Sequence, residues 1–586
     1  MPHFPALRGQ LTEQEVVDSF GGYDHRARIR DGAWYETRNL TSDFAPMLAS
    51  RVRRANTHLA ACALLEKGAL AYVSPEGTLY YDFLPTGVTG LAPGPKQLVS
   101  MGAYLLIFPD KVYFNTADSG DWGSMEAHLS ASTLGYEMCR YDGTDVEARF
   151  LQPDAPENPD NADYWIDTSG EKPQLRQWSE AVGDWVSVES VYLRIRLSTM
   201  GVLPRLFAVN DGVRISGSAC GDVNGDKQII ALGGGENEND WLLVTGLLRE
   251  TVQNTLLHID RSVPALDFVC ECRNRLWGCR YGLDENGEPV NEILCCALGD
   301  FRNWRQYAGL ATDSWAGSVG SDGPWTGAVN FLGCPTFFKE NRIHRLAVSP
   351  EGAHQITETV CRGVQKGSEK SLVVVNETLY YKSAADVCAY QGGFPESVSA
   401  ALGSEVYHAA AAGALRGKYY LSMKDENEGG ALFVYDIEKG LWMHEDDFYA
   451  DGFARVGSEL YALAAGTLWT MTGSLPVPGT EREEAPNWAA ESGLLYGVLP
   501  ENKRVSRYNI RLRLGRGSSV AVEVEYDSDG IWRSAGSISA ENAATATYLF
   551  PVRPRRCDHL RLRLSGRGEV KIYSIARILE PGSDYR

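Results

Sequence analysis

The chain has 586 residues, a formal net charge of -20 and 12 cysteines. Its length corresponds to about three or four domains at roughly 150 residues each, and its acidity excludes binding of nucleic acid through overall charge. Aromatic residues and glycine are frequent, with 28 Tyr, 18 Phe, 14 Trp and 60 Gly. This composition favours strands joined by tight turns.

The first residues show no apolar leader, and no apolar run in the sequence is long enough to span a bilayer. We therefore expect a protein made in a reducing cytoplasm, with thiols that are free and mostly buried. The stretch LTEQEVVDSF, residues 11–20, predicts a short helix because Thr12 and Glu15 have the spacing of a capping box.

Beyond residue 20, apolar residues alternate between turn signals almost to the end of the chain. Residues 69–84 and 103–116 are typical of β-hairpins. From about residue 265, aromatic, turn-bounded strand pairs recur at a spacing of roughly 40 to 55 residues. That spacing predicts the blades of a β-propeller. Two stacked β-sandwiches are the alternative, although they give no reason for the period.

Two regions interrupt this period. The first, at about 121–264, contains a stretch rich in Pro, Asp and Asn and then strands of its own, which indicates an inserted β-domain. The second, at 481–502, is followed by strictly alternating residues, which predict a compact β-sandwich. The predicted fold class is all-β: a β-propeller with an inserted β-domain and a C-terminal β-sandwich. The predicted segments are 1–19 N-terminal arm or helix, 20–120 first part of the propeller, 121–264 inserted β-domain, 265–480 second part of the propeller, 481–502 linker, and 503–586 C-terminal β-sandwich.

Charge differs between the predicted domains. Residues 503–586 hold 16 Lys and Arg against 9 Asp and Glu, whereas the rest of the chain is strongly acidic. Arg511 and Arg513 alternate on one predicted strand, and Arg561 and Arg563 on another, so we expect all four on one face of paired strands. Such a face can bind an acidic partner or DNA, or it can be solvated.

The sharpest metal candidate is the loop GDVNGDKQ, in which Asp222, Asn224 and Asp226 hold the first, third and fifth positions of a calcium loop. Lys227 replaces the required glycine and Gly233 replaces the bidentate glutamate, so a polar hairpin loop is favoured. The densest thiol group lacks a second ligand pair for zinc, and core packing is favoured for it. Its members are Cys270, Cys272, Cys279, Cys295 and Cys296.

A loop bearing Arg362, Lys366 and Lys370 lacks the spacing of a phosphate loop. It is more typical of a solvated or interface turn than of a clamp for a carboxylate or phosphate. The histidines are scattered, and three are interpreted as structural: His25, His344 and His444. No nucleophile elbow, zinc-protease motif or dinucleotide fingerprint occurs, so the sequence predicts no enzyme, no cofactor and no metal site.

Residues 298–307, LGDFRNWRQY, follow an apolar run and end in an aromatic cluster. Gly299 and Asp300 predict a turn after a buried strand. Phe301 and Trp304 are expected to pin this corner against the neighbouring blade, which makes the stretch a structural corner instead of a fragment of an active site.

Five stretches together carry a family pattern: FGGYDHRARIRDGAWYETRNLTSDFAPMLASR (20–51), NRLWGCRYG (274–282), NEILCCALGDFRNW (291–304), CRGVQKGSEKSLVVVNETLYYKS (361–383) and RRCDHLRLRLSGRGEVKIYSIAR (555–577). They resemble the β-propeller virion proteins of tailed phages, common in phages and prophages of gut Firmicutes. The patterns N-R-L-W-G and L-G-D-x-x-N-W are also similar to propellers of short-tailed phage hub, nozzle and packaged-DNA stabilization proteins. The matching motif positions are Trp277, Gly299, Asp300, Asn303 and Trp304.

The resemblance covers nearly the whole chain and implies a structural component of the virion tail or neck, assembled in the host cytoplasm as a ring that is expected to be sixfold. It implies contacts with adaptor, portal-proximal or tail-fibre proteins and, without sequence specificity, with phage DNA in the channel. It carries over no catalytic residues. One alternative is a sandwich that binds host-surface glycans through exposed aromatics such as Trp532. A propeller glycosidase is the other, although the 76 Asp and Glu make any single carboxylate pair uninformative.

Overall fold

A computed structural model describes residues 13–250, 252–284, 287–349, 353–495, 503–553, 555 and 557–581. The protein is all-β, with a β-propeller, an inserted β-domain and a β-sandwich, so the predicted fold class is confirmed. The chain forms two compact units: Met1–Lys96, Thr336–His344 and Glu358–Arg586 make the first, and Gln97–Pro335 and Arg345–Thr357 make the second. No helix in the described ranges is long and apolar enough to cross a membrane.

Seven small antiparallel sheets within the described residues have the form of propeller blades, six with four strands and one with five. Four belong to the first unit, two to the second, and the division between the units passes through the seventh. The first-unit sheets contain the strands Ala63–Lys67, Ala69–Val73, Leu79–Tyr81 and Leu84–Pro85; Val373–Val375, Thr378–Lys382, Val387–Tyr390 and Glu396–Ser397; Tyr407–Leu415, Lys418–Asp425, Gly430–Asp436 and Leu441–Asp446; and Gly452–Val456, Glu459–Ala464, Thr467–Thr470, Ala55–Ala60 and Glu481–Arg482.

The second-unit blades follow the same pattern. Their strands are Gln97–Met101, Tyr104–Phe108, Val112–Asn115 and Trp122–Ser124; and Phe268–Glu271, Leu276–Leu283, Pro289–Cys295 and Trp315–Ser318. The seventh sheet consists of Gly327–Phe331, Cys334–Lys339, Arg342–Val348 and His354–Val360.

Within each unit, the first strands of successive blades lie side by side. In the first unit, Tyr407–Leu415 contacts Gly452–Val456, which in turn contacts Ala63–Lys67. The last blade is completed by an early strand, because Ala55–Ala60 pairs with Thr467–Thr470. This pairing covers a sheet edge that would otherwise present unpaired backbone groups.

The inserted domain contains a seven-stranded sheet, a four-stranded sheet and one helical turn, Leu203–Leu206. Apolar side chains that alternate along the central strands, including Leu193, Ile195 and Leu197, fill its core. The larger sheet has the order Gly225–Gln228, Gly212–Ser216, Leu256–Arg261, Ala127–Cys139, Tyr192–Met200, Glu238–Thr245 and Ala231–Gly235; the smaller has the order Ala148–Gln152, Tyr164–Asp167, Gln174–Ser179 and Asp184–Ser187.

The sandwich packs a six-stranded sheet, called sheet S1, on a five-stranded sheet, called sheet S2. Trp488, Tyr508 and Phe550 are among the large side chains of the shared core. Sheet S1 consists of Leu40–Thr41, Leu48–Ser50, Val570–Pro581, Lys503–Leu514 and Ala544–Pro551, with Glu13–Val17 also paired to Val570–Pro581. Sheet S2 consists of Trp34–Arg38, Asn487–Ser492, Leu560–Arg567, Ser519–Tyr526 and Arg533–Ser539. The remaining elements are single turns of 3₁₀-helix at Gly221–Val223, Glu369–Ser371 and Ala400–Leu402.

Three predictions need correction: the N-terminal helix, the assignment of residues 34–50 to the propeller, and the linker at 481–502. The predicted helix is wrong over 13–17, where the residues form a strand instead; β-branched Val16 and Val17 suit a strand, and pairing with Val570–Pro581 outweighs the local capping signal. Thr12 lies outside the described residues. Strands between 34 and 50 belong to the sandwich and not to the propeller, and the expected linker contains the S2 strand Asn487–Ser492. The sequence misplaces these two regions, 34–50 and 487–492, because each contains a strand whose partner lies several hundred residues away.

Candidate functional site

The corner at residues 299–304 begins with a turn that only a small residue adopts easily. Gly299 has φ of +80°, a left-handed conformation that side chains with a Cβ disfavour. Its N–H donates to the carbonyl of Asn274 at 2.9 Å, and the Asp300 N–H donates to that of Ala297 at 3.2 Å. The chain therefore reverses directly after the buried blade strand Pro289–Cys295.

Both aromatic rings of the corner are buried. The Trp304 indole N–H donates to the carbonyl of Phe301 at 2.9 Å. The Phe301 ring lies 4.9 Å from that of Tyr104 and 5.3 Å from that of Tyr113, centroid to centroid, both on the neighbouring blade. Phe301 and Trp304 thus pack into the core between two blades, where their roles are structural.

Asn303 has a role that sequence reasoning missed. It is 2% exposed, and its side-chain oxygen accepts from the N–H of Gly212 at 3.0 Å while its amide donates to the carbonyl of Asn210 at 2.8 Å. Both partners lie in the inserted domain. A Cβ on Gly212 would lie 2.2 Å from the carbonyl oxygen of Arg305. The corner therefore anchors the inserted domain to its blade through close backbone contact.

Trp277 lies on the middle strand of the same blade and is also buried. Its indole N–H donates to the carbonyl of Cys272 at 3.3 Å, and its ring contacts those of Trp315 and His354. Burial raises the pKa of the Cys272 thiol to about 11. Such a thiol stays protonated at neutral pH, as expected for a cysteine packed in the core.

The four predicted interface arginines do not share one face. Arg511 and Arg513 lie on Lys503–Leu514 in sheet S1, whereas Arg561 and Arg563 lie on Leu560–Arg567 in sheet S2. The expectation of one shared face is wrong because the two strands are not paired with each other: Lys503–Leu514 pairs with Ala544–Pro551, and Leu560–Arg567 pairs with Ser519–Tyr526. Their outer faces differ sharply in charge.

On S2, carboxylates neutralise both arginines. Arg561 contacts Glu491 at 3.1 Å and Glu525 at 3.4 Å, and Arg563 contacts Glu523 at 2.7 Å. The Arg563 guanidinium also lies 4.3 Å from the centroid of the Trp532 ring. This face is a closed ladder of ion pairs, and the half-buried Trp532 is covered by guanidinium on one side.

On S1, Arg507, Arg511 and Arg513 are exposed along one strand, and no described carboxylate forms an ion pair with them. Lys571 stands directly opposite Arg513 in the register, so two like charges face each other. The Lys571 ammonium lies 3.4 Å from the centroid of the Phe44 ring. We call these four cations the S1 cationic row.

The calcium-like loop uses its oxygens within the protein. Asp222 forms an ion pair with Arg249 at 2.9 Å and Asp226 with Arg305 at 2.7 Å, while Asn224 bonds the backbone of Ser218. Among the described residues there is no group of three or more His, Cys, Asp or Glu arranged to hold a metal ion.

The other motif residues are dispersed. Arg362 pairs with Asp386, whereas Lys370 lines a cavity of about 410 Å³ whose only lining carboxylate is Asp451. Lys366 is exposed. The three histidines predicted to be structural each hydrogen-bond a protein group: His25 the carbonyl of Tyr35, His344 the carboxylate of Glu358 and His444 the carboxylate of Glu36.

A second cavity, of about 140 Å³, is lined by two carboxylates, Asp386 and Glu405. Burial disfavours the ionised form of Asp386, but hydrogen bonds from groups including Ser383 and the charge of Arg362 outweigh it and hold its pKa below the usual value. Glycoside hydrolysis needs one carboxyl group that stays protonated near neutral pH. Asp386 is therefore unsuited to the role of general acid.

The sequence matches no protein-family model and no curated protein. Solved structures with a similar arrangement include an exo-β-1,3-galactanase from Phanerochaete chrysosporium, at 9% identity and a TM-score of 0.22, covering 52% of this chain and 95% of that one. A putative 6-phosphogluconolactonase from Bacteroides uniformis has 12% identity and a TM-score of 0.22, covering 65% and 96%. Raptor from Chaetomium thermophilum has 10% identity and a TM-score of 0.26, covering 72% and 29%. Similarity this low carries no activity over to this chain.

Proposed function

We propose that this protein is a structural component of a tailed-phage virion. In this proposal it forms part of a ring at the tail or head-to-tail junction, holds neighbouring tail proteins and helps to retain or conduct DNA. The resemblance of the five sequence stretches supports the class of protein. A scaffold of small, closed blades with few open sheet edges suits a rigid ring component.

The observation that carries the proposal is the S1 cationic row. Like charges directly opposite each other destabilise a sheet, so the pairing of Arg513 with Lys571 does not serve the fold. On a chain with a net charge of -20, this local excess of positive charge fits an anionic partner. The face can contribute to binding that the charge of the whole chain opposes.

The chemistry of this face fits a phosphate backbone better than base recognition. Arginine guanidinium groups bind phosphate oxygens in a fork geometry, and the neighbouring strand adds the exposed hydroxyls of Thr545 and Thr547 opposite Arg513 and Arg511. Contacts of this kind position a duplex without selecting a sequence. DNA binding that is independent of sequence and weakened by salt is the expected behaviour.

Two alternatives receive less support. Binding of glycans by Trp532 requires an open ring face, and this half-buried ring has one of its two faces covered by Arg563. Hydrolysis of glycans requires a protonated general acid beside a second carboxylate, and the lowered pKa of Asp386 leaves only Glu405 for the acid in that cavity. Both alternatives remain outcomes of the experiment below.

The direct test is a mass-spectrometric inventory of purified particles from a phage that encodes this chain, together with electron microscopy of the purified protein. We expect the protein in the particles at a constant copy number and rings in the micrographs. Absence from the particles, combined with a monomer in solution, would contradict the proposal. Binding to a glycan array or hydrolysis of host polysaccharide would support one of the alternatives instead.

A further inference from the structure

Four polar side chains meet on one face of the larger sheet of the inserted domain. His128 and Ser130 lie on Ala127–Cys139, and His258 and Asp260 lie on the neighbouring strand Leu256–Arg261. His128 stands opposite Asp260 in the register, and Ser130 stands opposite His258. Residues two apart on a strand share a face, so the two pairs form adjacent rows.

The four groups form a continuous chain of hydrogen bonds. His128 Nδ1 bonds the carboxylate of Asp260, and His128 Nε2 lies 2.9 Å from Ser130 Oγ. Ser130 Oγ also lies 2.8 Å from Nδ1 of His258. When the carboxylate of Asp260 accepts a hydrogen bond from Nδ1–H of His128, Nε2 of His128 carries no proton and accepts a hydrogen bond from the Ser130 hydroxyl. Nδ1–H of His258 then donates a hydrogen bond to the Ser130 oxygen.

This arrangement matches the roles of nucleophile, base and orienting acid in acyl transfer. The base lies within hydrogen-bond reach of the hydroxyl, and the carboxylate holds the imidazole in the tautomer that can accept the proton. The core does not require these groups, because the side chain of His128 is 61% exposed and that of Asp260 is 42% exposed. The chain therefore places a complete relay on a surface open to solvent.

We propose that Ser130 is a nucleophile activated by His128 and Asp260 and that it accepts acyl groups from small esters. Ser130 Oγ bonds to the ester carbonyl carbon while its proton moves to His128 Nε2. The carbon–oxygen bond to the alcohol then breaks, and the alcohol leaves with that proton. Water, deprotonated by the same nitrogen, attacks the acyl-serine, and the released serine oxygen recovers the proton as the free acid departs.

The surroundings define the class of substrate. The cavities described above do not include these residues, so a short acyl chain on an open face is expected instead of a long chain in a pocket. Arg214 stands opposite Asp260, and Ser216 stands opposite His258, on the next strand of the sheet. Both are exposed and border the face on which the substrate would lie.

The test uses the full-length protein and an alkyl fluorophosphonate probe. Attack by Ser130 forms an oxygen–phosphorus bond and expels fluoride, while the proton passes through His128 to solvent. Peptide mass spectrometry then locates the label. Ser132 is the internal control because it is exposed on the same face two residues along the strand. We expect Ser130 to react on the order of 100-fold faster than Ser132, the size of a general-base contribution.

Variants of His128 and Asp260 show whether Ser130 reacts because it is activated by these residues or only because it is exposed. Because the groups are exposed, His128→Ala and Asp260→Asn should melt at the temperature of the parent protein while labelling of Ser130 falls to the rate of Ser132. Hydrolysis of p-nitrophenyl acetate should fall in parallel, and Ser132→Ala should leave both signals unchanged. Equal labelling of the two serines, or labelling of Ser130 that survives His128→Ala, would overturn the proposal.

Discussion

The outer faces of the two sandwich sheets begin from the same sequence pattern and end in opposite electrostatic states. On S2, Arg561 and Arg563 lie among glutamates that neutralise them. On S1, Arg511 and Arg513 face threonines on one neighbouring strand, and Arg513 faces Lys571 on the other. The neighbouring strand therefore decides whether an arginine is neutralised, as on S2, or lacks a described ion-pair partner, as on S1.

This difference assigns separate duties to the two faces. Exposed ion pairs contribute little individually, but a network with good geometry contributes more, so S2 supports the sandwich. The S1 cationic row adds repulsion and is the face that we propose for an anionic partner. Changes on S2 should therefore affect stability, and changes on S1 should affect binding.

The largest expected effect is on stability and comes from a change in the propeller core, far in sequence from the two sandwich faces S1 and S2. Replacing Trp304 with Ala removes a buried ring from the core between two blades and should cost about 3 to 5 kcal/mol of unfolding free energy. Chemical denaturation checks this, with Trp304→Phe as a milder control. Below the melting temperature, the proposed DNA binding by the sandwich should be unchanged. A variant that unfolds like the parent would contradict the packing role.

The second prediction tests the S1 face directly. The double change Arg511→Gln and Arg513→Gln should weaken binding to duplex DNA by on the order of 2 kcal/mol, about 30-fold. The slope of log affinity against log salt should shrink by about 0.9 for each lost phosphate contact. Fluorescence anisotropy across a salt series measures both quantities.

The matched control for this prediction is Arg561→Gln with Arg563→Gln, which removes the same number of charges from S2. It should leave the affinity and the salt slope nearly unchanged. Equal losses in the two double variants would mean that net charge alone governs binding, and the contrast between the faces would then fail.

A third prediction concerns stability on S2. Replacing Arg563 with Ala removes its ion pair to Glu523 and its contact with the Trp532 ring, for a loss of about 1 kcal/mol. Thermal denaturation at low and high salt measures the loss, which should shrink as salt screens the ion pair. A loss that does not depend on salt would assign the effect to packing of the arginine stem instead.

The smallest expected effect has the opposite sign. Replacing Arg513 with Thr removes the repulsion from Lys571 and adds a residue with high strand propensity, so the protein should gain a few tenths of a kcal/mol. Differential scanning calorimetry can resolve this shift against the parent. A clear destabilisation would show that Arg513 has a stabilising partner in the fold.

The sequence predicts the fold class because alternation and turn chemistry are local signals. Pairing between distant segments is not local, and this accounts for what sequence reasoning missed. Asn487–Ser492 has the composition of a linker yet pairs with Trp34–Arg38 and Leu560–Arg567.

The same limit applies to the candidate sites. Alternation places Arg511 and Arg513 on one face of their strand, but it does not reveal which strand lies beside them. His128 and Ser130 are visible in the sequence as a polar pair, and their partners His258 and Asp260 lie about 130 residues away. Only the register of the sheet completes the relay, and Asn303 similarly gains its meaning from Gly212.

The pairing of the first and last described strands means that sheet S1 can be completed only late in synthesis of the chain. Glu13–Val17 pairs with Val570–Pro581, so its partner leaves the ribosome more than 550 residues later. At about 5–20 residues per second, the early strand waits roughly 30 to 110 seconds with its hydrogen bonds unmade. A chain that stops before this point keeps an open edge on S1. Completion of this sheet therefore requires synthesis through Pro581, and the S1 cationic row takes its final form only after Lys571 has joined the sheet opposite Arg513.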